Sequence, residues 1–292
     1  MERTGKALVV LVAVVLAVHA VSSAGTIYFT TESRCDFSHL WSYDTDTGQK
    51  TDRGVIQGRQ YTTDLAFDPS GNLHGVGWNN SQANGSSKLY QITPGDADHR
   101  ARWSMETVKS SKMDRTVNSA IFDGQGDLFV ASDAGSFQKL TYDADRGRWK
   151  VEKTAWIGQP AGGDLAFSSD GSSLYVTLRG GELATIDFDV DSATFGQASV
   201  VGQTGYDDIF GLAMADGVLY GTTADGNYGP SHLVQIDPNT AATTFVADLG
   251  CGVWGAAGGS YGQPVPEPAT LILIAVGALT MGFKKANSAR GR

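Results

Sequence analysis

The chain has 292 residues, of which 41% are hydrophobic and 37 are glycine, so it can form a sizeable core and many tight turns. Its formal net charge at pH 7 is -9, and the two ends hold six of the 22 basic but only two of the 31 acidic residues. The segment 25–263 therefore carries 16 basic and 29 acidic side chains. Such an acidic body argues against nucleic-acid binding, which needs positive charge to neutralise phosphates. It is compatible with cations, sugars or basic partners.

The N-terminal segment 1–24 has the pattern of an export signal. Arg3 and Lys6 form a short basic region, residues 7–18 are an apolar run, and residues 22–24 are small, as a signal peptidase requires. An uncleaved anchor helix is the alternative, but the apolar run is shorter than the roughly 20 residues that a spanning helix needs. We therefore predict a signal peptide that is cleaved after residue 24.

The body of the chain, which we predict to span residues 25–262, consists of short strands joined by tight turns. The sequence DLAF at residues 64–67 recurs as SAIF at 119–122, DLAF at 164–167 and, more loosely, GLAM at 211–214. Each copy leads through a turn rich in Asp and Gly into a second strand that begins with leucine. Spacings of 55, 45 and 47 residues between the copies indicate a repeat architecture.

A closed ring accounts for the number of these strands. Only four complete first strands are available, whereas third strands begin at five leucines, and residues 252–257 can supply the missing first strand. We therefore predict an all-β fold, a β-propeller of five blades in which this C-terminal strand joins the N-terminal blade. Four or six blades remain open, because residues 100–113 are irregular. An open sandwich is disfavoured, since it does not require such a period.

The unit of turn and strand resembles the lactonase-like and NHL-like propellers, which carry a DPDG-type hairpin in each blade. The resemblance covers residues 27–257 and rests on short turns, such as DPSG at 68–71 and DGQG at 123–126. It implies the propeller fold. It implies no particular chemistry, because this architecture hosts both enzymes and pure binding modules.

The C-terminal segment 263–292 carries a more specific pattern. Pro266-Glu267-Pro268 precedes an apolar stretch, which is followed by two lysines and a basic end. This order resembles the PEP-CTERM sorting signal of exported bacterial proteins. The resemblance implies a transmembrane helix with its basic end inside the cell, and an exosortase that recognises Pro266, Glu267 and Pro268 and removes the tail. A plain tail anchor is the alternative.

Polar side chains at the starts of the first strands are the candidate cation site. In a propeller these strands begin near one rim of the central channel, so oxygen ligands from several blades could converge there and bind Ca²⁺. The candidates are Asp64, Asn118, Asp164 and Asp208. The alternative is that they cap turns and accept hydrogen bonds from neighbouring backbone N–H groups. We favour this alternative, because only Asp64 and Asp164 occupy strictly equivalent positions.

Two further sets of residues are candidates for binding or for stability. The chain has only two cysteines, Cys35 and Cys251, and the ring would bring them to the same blade, so we predict a disulfide in the oxidising compartment outside the cell. Two free thiols are the alternative. Four tryptophans could either stack on sugar rings or pack between sheets, and the sequence does not distinguish these roles; they are Trp78, Trp103, Trp149 and Trp156.

The predicted function is that of an exported binding or interaction module at the cell surface or in the extracellular matrix. Its expected partners are the exosortase and an extracellular polysaccharide or a surface protein, with no nucleic acid. The sequence contains no GxSxG, HExxH, phosphate-loop or EF-hand pattern. The alternative function is a metal-dependent hydrolase or lactonase-like enzyme with a cation, Ca²⁺, at the channel mouth.

Overall fold

The structure is a computed structural model that describes residues 25–32, 38–57, 61–78, 87–94, 102–110, 113–223, 229–250 and 252–259. All regular secondary structure in these residues is β-strand. Within this described part of the chain, no helix is long and apolar enough to cross a membrane. The predicted signal peptide, the sorting tail, Cys35 and Cys251 lie outside the described residues, so cleavage of the signal peptide and the disulfide stay predictions.

Twenty strands are present in the described residues. Numbered in chain order, they are β1 (Thr26–Glu32), β2 (Ser38–Asp44), β3 (Lys50–Gln57), β4 (Tyr61–Phe67), β5 (Leu73–Trp78), β6 (Lys88–Pro94), β7 (Arg102–Thr107), β8 (Val117–Phe122), β9 (Leu128–Ser132), β10 (Ser136–Asp143), β11 (Arg148–Trp156), β12 (Ala161–Phe167), β13 (Leu174–Leu178), β14 (Glu182–Ile186), β15 (Ala198–Gln203), β16 (Ile209–Ala215), β17 (Val218–Thr223), β18 (His232–Ile236), β19 (Thr243–Asp248) and β20 (Val253–Gly258).

These strands form antiparallel units of four. The units are β20-β1-β2-β3, β4 to β7, β8 to β11, β12 to β15 and β16 to β19. The outer strands β3 and β7 pair in parallel, where Val55 lies opposite Arg102 and Gln57 opposite Ser104. The first two units therefore form one eight-stranded sheet.

The ring is closed by the last described strand. Strand β20 pairs antiparallel with β1, with Ile27 opposite Gly258 and Thr30 opposite Gly255. The innermost strands β4, β8, β12, β16 and β20 pack on one another in a closed circle. The chain is therefore an all-β propeller whose C-terminal strand joins the N-terminal unit, as predicted. The number of blades stays a prediction.

Tight turns end the innermost strands on one face of the ring. The Asp68 carboxylate accepts the backbone N–H groups of Ser70 and Asn72, both at 2.9 Å, and the adjacent Gly71 has a φ of 81°. Asp123 accepts the corresponding N–H groups of the turn after β8. An Asp side chain that bonds the backbone two residues on, together with a glycine at positive φ, produces the sharp reversal. These turns hold the start of each second strand beside the innermost strand.

The hydrophobic core of the described chain lies between the sheets. Each of its clusters joins two neighbouring units, and together the clusters follow the ring. One example packs Leu65 and Leu73 of the second unit against Leu40 and Ile56 of the first. Because every sheet buries both faces in this way, the middle strands β9 and β13 are buried along their whole length. This packing places the starts of the innermost strands at one end of the ring axis.

Candidate functional site

A cavity of about 320 Å³ lies at the end of the ring where the innermost strands begin. Every innermost strand contributes one residue from an equivalent position to its wall: Thr63 from β4, Asn118 from β8, Gly163 from β12, Phe210 from β16 and Trp254 from β20. Asp133, Arg179 and Asp208 form part of the rim. The cavity is therefore the mouth of the central channel, and we call it the mouth cavity.

One wall of the mouth cavity is aromatic. The rings of Phe210 and Trp254 are stacked with their centroids 5.7 Å apart and their planes only 8° from parallel. Both side chains are half-buried. Such a parallel, offset pair is a favoured arrangement of aromatic rings, and it presents a broad apolar surface.

The remaining wall of the mouth cavity is polar. The Arg179 guanidinium lies 3.2 Å from the Asp133 carboxylate, and the Arg179 side chain is 61% exposed. The Asn118 amide donates to the carbonyl oxygen of Ala161 at 3.1 Å. Asp208 is half-buried at the start of β16. An exposed ion pair of this kind is weak, and a guanidinium has five N–H donors. Arg179 therefore has N–H donors available for a ligand even while it is paired with Asp133.

Asp64 and Asp164 lie one residue further along their strands and fill the centre of the ring below the cavity. Both residues are fully buried. Their carboxyl oxygens accept backbone N–H groups at 2.6 to 3.3 Å from all the innermost strands. The donors are Leu65 and Ala120 for Asp64, and Leu165, Leu212 and Ala256 for Asp164.

Small residues make room for these two carboxyl groups. The positions equivalent to Asp64 and Asp164 in the other innermost strands hold Ser119, Gly211 and Gly255. A Cβ atom on Gly255 would lie 2.4 Å from the Asp64 Cα and 2.6 Å from its Oδ1, which no real structure tolerates. Two acids, two glycines and one serine therefore fill a layer that has no space for five larger side chains.

The two carboxyl groups titrate as a pair. Burial, and after it the charge of Asp164, raises the pKa of Asp64 well above its usual range. Burial also raises the pKa of Asp164, although a hydrogen bond from Asp64 and the backbone N–H donors act in the opposite direction. The two carboxyl groups are therefore linked by a buried hydrogen bond, and the raised pKa values belong to the pair rather than to either residue alone.

Both described ends of the chain lie on the face of the ring opposite the mouth cavity. Strand β20 begins at the cavity with Val253 and Trp254, so its last residues reach the other face. There the Gly259 N–H donates to the carbonyl oxygen of Thr26 at 3.1 Å. The described part of the chain therefore ends on the face that is remote from the cavity.

Residues 264–286 match the family model of the PEP-CTERM protein-sorting motif. This chain carries the PEP-CTERM sorting motif. The motif indicates an exported protein with a membrane-anchored precursor, which an exosortase, a membrane protease, processes.

No curated protein matches the chain. Similar solved structures include TolB from Acinetobacter baumannii, with a TM-score of 0.45 and 14% identity over 81% of this chain and 67% of that chain. A protein of unknown function from Bacteroides caccae has a TM-score of 0.45 and 11% identity over 80% and 98% of the two chains. A putative 6-phosphogluconolactonase from Bacteroides fragilis NCTC 9343 has a TM-score of 0.45 and 13% identity over 82% and 99%. Likeness at this level carries no argument about function.

The four residues of the predicted cation site form two groups in the structure. Asp64 and Asp164 meet at the ring centre, where each of their oxygens accepts a backbone N–H group. Asn118 and Asp208 line the mouth cavity instead. In the described residues, no group of three or more His, Cys, Asp or Glu side chains is arranged to hold a metal ion. The Ca²⁺ site stays a prediction.

The sequence did not single out the aromatic pair or the ion pair of the mouth cavity. Trp254 could have been found, because it occupies the position in residues 252–257 that Asn118 occupies in its repeat. Arg179 and Asp133 follow the second strands β13 and β9 in turns that share no sequence pattern. No signal of the repeat therefore indicated them.

The structure separates the roles of the candidate tryptophans. Trp103 and Trp149 are each only 8% exposed and pack in the core between the sheets. Trp156 is 59% exposed at the end of β11. The Trp78 side chain lies outside the described part of the structure. Trp156 is therefore the member of this set that is available to a ligand.

Proposed function

We propose that this exported propeller is a binding module that holds sugar rings of an extracellular polysaccharide in its mouth cavity. The observation that carries the proposal is the Phe210–Trp254 stack beside a polar wall. A sugar ring has an apolar face of C–H groups and an edge of hydroxyl groups. The aromatic pair matches the face, and the polar groups of Asn118, Arg179 and Asp208 match the edge.

The charge of the cavity narrows the class of sugar. Arg179 is paired with Asp133, which leaves the carboxylate of Asp208 as the excess charge of the cavity. The body of the chain is acidic as well. An anionic polymer would be repelled by this field, whereas a neutral or an amino-bearing polymer would not. We therefore assign a neutral or amino-bearing polysaccharide to the site.

The position of the chain ends agrees with this role. Thr26 and Gly259, at the described ends of the chain, lie on the face opposite the mouth cavity. The last described residue before the sorting motif therefore does not border the cavity.

A hydrolase with a cation at the channel mouth is the alternative function. Its cation would have to rely on Asn118 and Asp208, because the oxygens of Asp64 and Asp164 accept backbone N–H groups. A surface protein is the alternative partner of a binding module.

Retention of the exported protein on a panel of immobilised polysaccharides tests the proposal. We expect the wild-type protein to bind a neutral or amino-bearing polymer, and Trp254→Ala to weaken binding about tenfold, which corresponds to about 1.4 kcal/mol. Phe245→Ala is the matched control, since Phe245 is 57% exposed on the outer strand β19, away from the cavity. Wild-type binding by Trp254→Ala, or retention on no polymer, would overturn the proposal.

A further inference from the structure

A second depression lies beside the mouth cavity, on the same face of the ring. Its volume is about 590 Å³, and its lining includes Arg115, Ala134, Ser136, Thr154 and Trp156. We call it the Trp156 groove. Its surface is mainly apolar but contains hydroxyl groups and one guanidinium, so it has the same mixture of chemistry as the mouth cavity.

The Trp156 groove adjoins the mouth cavity. Asp133 lines the cavity, and the next residue, Ala134, lines the groove. On the other side Asn118 lines the cavity, and Arg115, three residues earlier, lines the groove. The two segments are tied together, because the Asp133 N–H donates to the carbonyl oxygen of Thr116 at 3.1 Å.

Trp156 forms a supported aromatic platform in this groove. A Cβ atom on Gly135 would lie 2.6, 2.8 and 3.0 Å from three neighbouring carbons of the indole ring. Because these three distances are similar, the face of the indole ring, and not its edge, lies against Gly135. The opposite face is left to solvent, since the residue is 59% exposed. Gly135 also has a φ of 87°, so two constraints require glycine there.

An exposed and supported indole has a cost that needs an explanation. Burial of a large apolar side chain away from water stabilises a protein, whereas the Trp156 indole remains exposed. Because its ring is already held against the backbone, little rotamer freedom is lost when a ligand covers it. The groove contains one carboxylate and one guanidinium, Asp114 and Arg115, so it has no net charge. Its surface therefore suits a neutral ring with an apolar face.

We propose that the Trp156 groove is a second subsite for the same polysaccharide. A neutral sugar chain that occupies the Phe210–Trp254 stack continues across the turn between β9 and β10 and places a further ring on Trp156. This inference rests on the proposed function of the mouth cavity. It adds a length requirement: short oligosaccharides fill the mouth cavity alone, and longer ones fill both subsites.

A length series of neutral and amino-bearing oligosaccharides tests the second subsite. The exported protein is titrated with β-linked gluco-, manno-, galacto- and glucosamine oligosaccharides from disaccharide to octasaccharide. For the sugar series that binds, we expect the affinity to rise about tenfold once the oligosaccharide is long enough to fill both subsites. Binding at the Trp156 groove is then intramolecular. Trp156→Ala should bind the disaccharide like the wild type but lose the gain with length.

Further variants separate stacking from a general loss of structure. Trp156→Tyr keeps an aromatic face and should restore part of the gain. Gly135→Ala should abolish the gain, because the added Cβ displaces the indole ring. Tyr142→Ala is the matched control, since Tyr142 is an exposed aromatic residue of the same sheet that does not line the groove. Circular dichroism checks that each variant is folded.

The possible results distinguish the two proposals. Binding that strengthens with length in the wild type but not in Trp156→Ala supports the second subsite. Binding that is independent of length, or a gain that survives in Trp156→Ala, overturns the second subsite and leaves the mouth cavity as the binding site. The absence of binding by every oligomer overturns the proposed function and this inference with it.

Discussion

Asp64 and Asp164 hydrogen-bond to each other at the centre of the ring and together accept a backbone N–H group from every innermost strand. An isolated buried carboxylate is costly, so the shared proton and the N–H donors are what make this pair possible. The pair joins strands that are far apart in sequence, such as β4 with β8 and β12 with β20. It also closes the floor of the mouth cavity.

Removal of Asp164 should strongly destabilise the protein. Asp164→Ala leaves three buried N–H groups without an acceptor and Asp64 without its partner, so we expect a loss of about 3–5 kcal/mol in the free energy of unfolding. Asp64→Asn should cost less, because the amide still donates to Asp164. Urea unfolding of both variants measures the difference. Equal stability of Asp164→Ala and the wild type would show that the pair does not hold the ring together.

The same pair should make stability depend on pH. A carboxyl group whose pKa is raised in the folded state contributes stability that is complete below the unfolded pKa of about 3.9 and is lost as the pH rises through the folded pKa. We therefore expect this contribution to fall from about pH 4 upward, with the loss due to Asp164 complete above its folded pKa of about 7. Burial lowers the pKa of His74, which acts in the opposite direction in that range.

The pH effect of the pair is isolated by a difference measurement. Unfolding free energies of the wild type and of Asp64→Asn are compared over the same pH range, since His74 contributes equally to both. The difference should become smaller as the pH rises, because the wild-type pair loses a proton that the amide side chain of the Asp64→Asn variant cannot lose. Working above pH 5 avoids exposed carboxylates such as Asp170, whose pKa is lowered to about 2 by hydrogen bonds from Ser168 and Ser172. A constant difference would contradict the shared proton.

Removal of divalent cations should leave the stability of the propeller unchanged. The oxygens of Asp64 and Asp164 are bound by backbone N–H groups, and Asn118 and Asp208 alone provide few ligands for Ca²⁺, which takes six to eight oxygens. Thermal unfolding with and without a chelator, together with the metal content of the purified protein, checks this. Stoichiometric Ca²⁺ that disappears in Asp208→Ala would favour the hydrolase.

The C-terminal segment should control the release of the protein from the membrane. Deletion of residues 265–292 removes the sorting motif and the apolar stretch, so we expect the truncated protein in the soluble fraction outside the cytoplasm. Glu267→Ala keeps the apolar stretch but alters the motif, and it should leave unprocessed precursor in the membrane. Cell fractionation with immunodetection compares the two. Membrane retention of the truncated protein would contradict this assignment.

The closed ring of strands and the sorting motif were both predicted from the sequence alone. Turns such as DPSG at 68–71 and the repeated DLAF unit are local signals, because a tight turn depends on a few adjacent residues. Their period, and the spare strand at residues 252–257, were enough to predict a ring closed by its last strand. The sorting motif at 264–286 is likewise a continuous segment, so it can be recognised without knowledge of the fold.

The roles of the residues at the ring axis could not be predicted from local sequence patterns. Asp64 and Asp164 were recognised as equivalent, but their common role depends on N–H groups from three other strands, which meet only when the ring is closed. The Phe210–Trp254 stack likewise joins strands β16 and β20. The exposure of Trp156 depends on its contact with Gly135, 21 positions earlier. Local patterns predict elements, whereas a site at the axis is made by contacts between residues far apart in the chain.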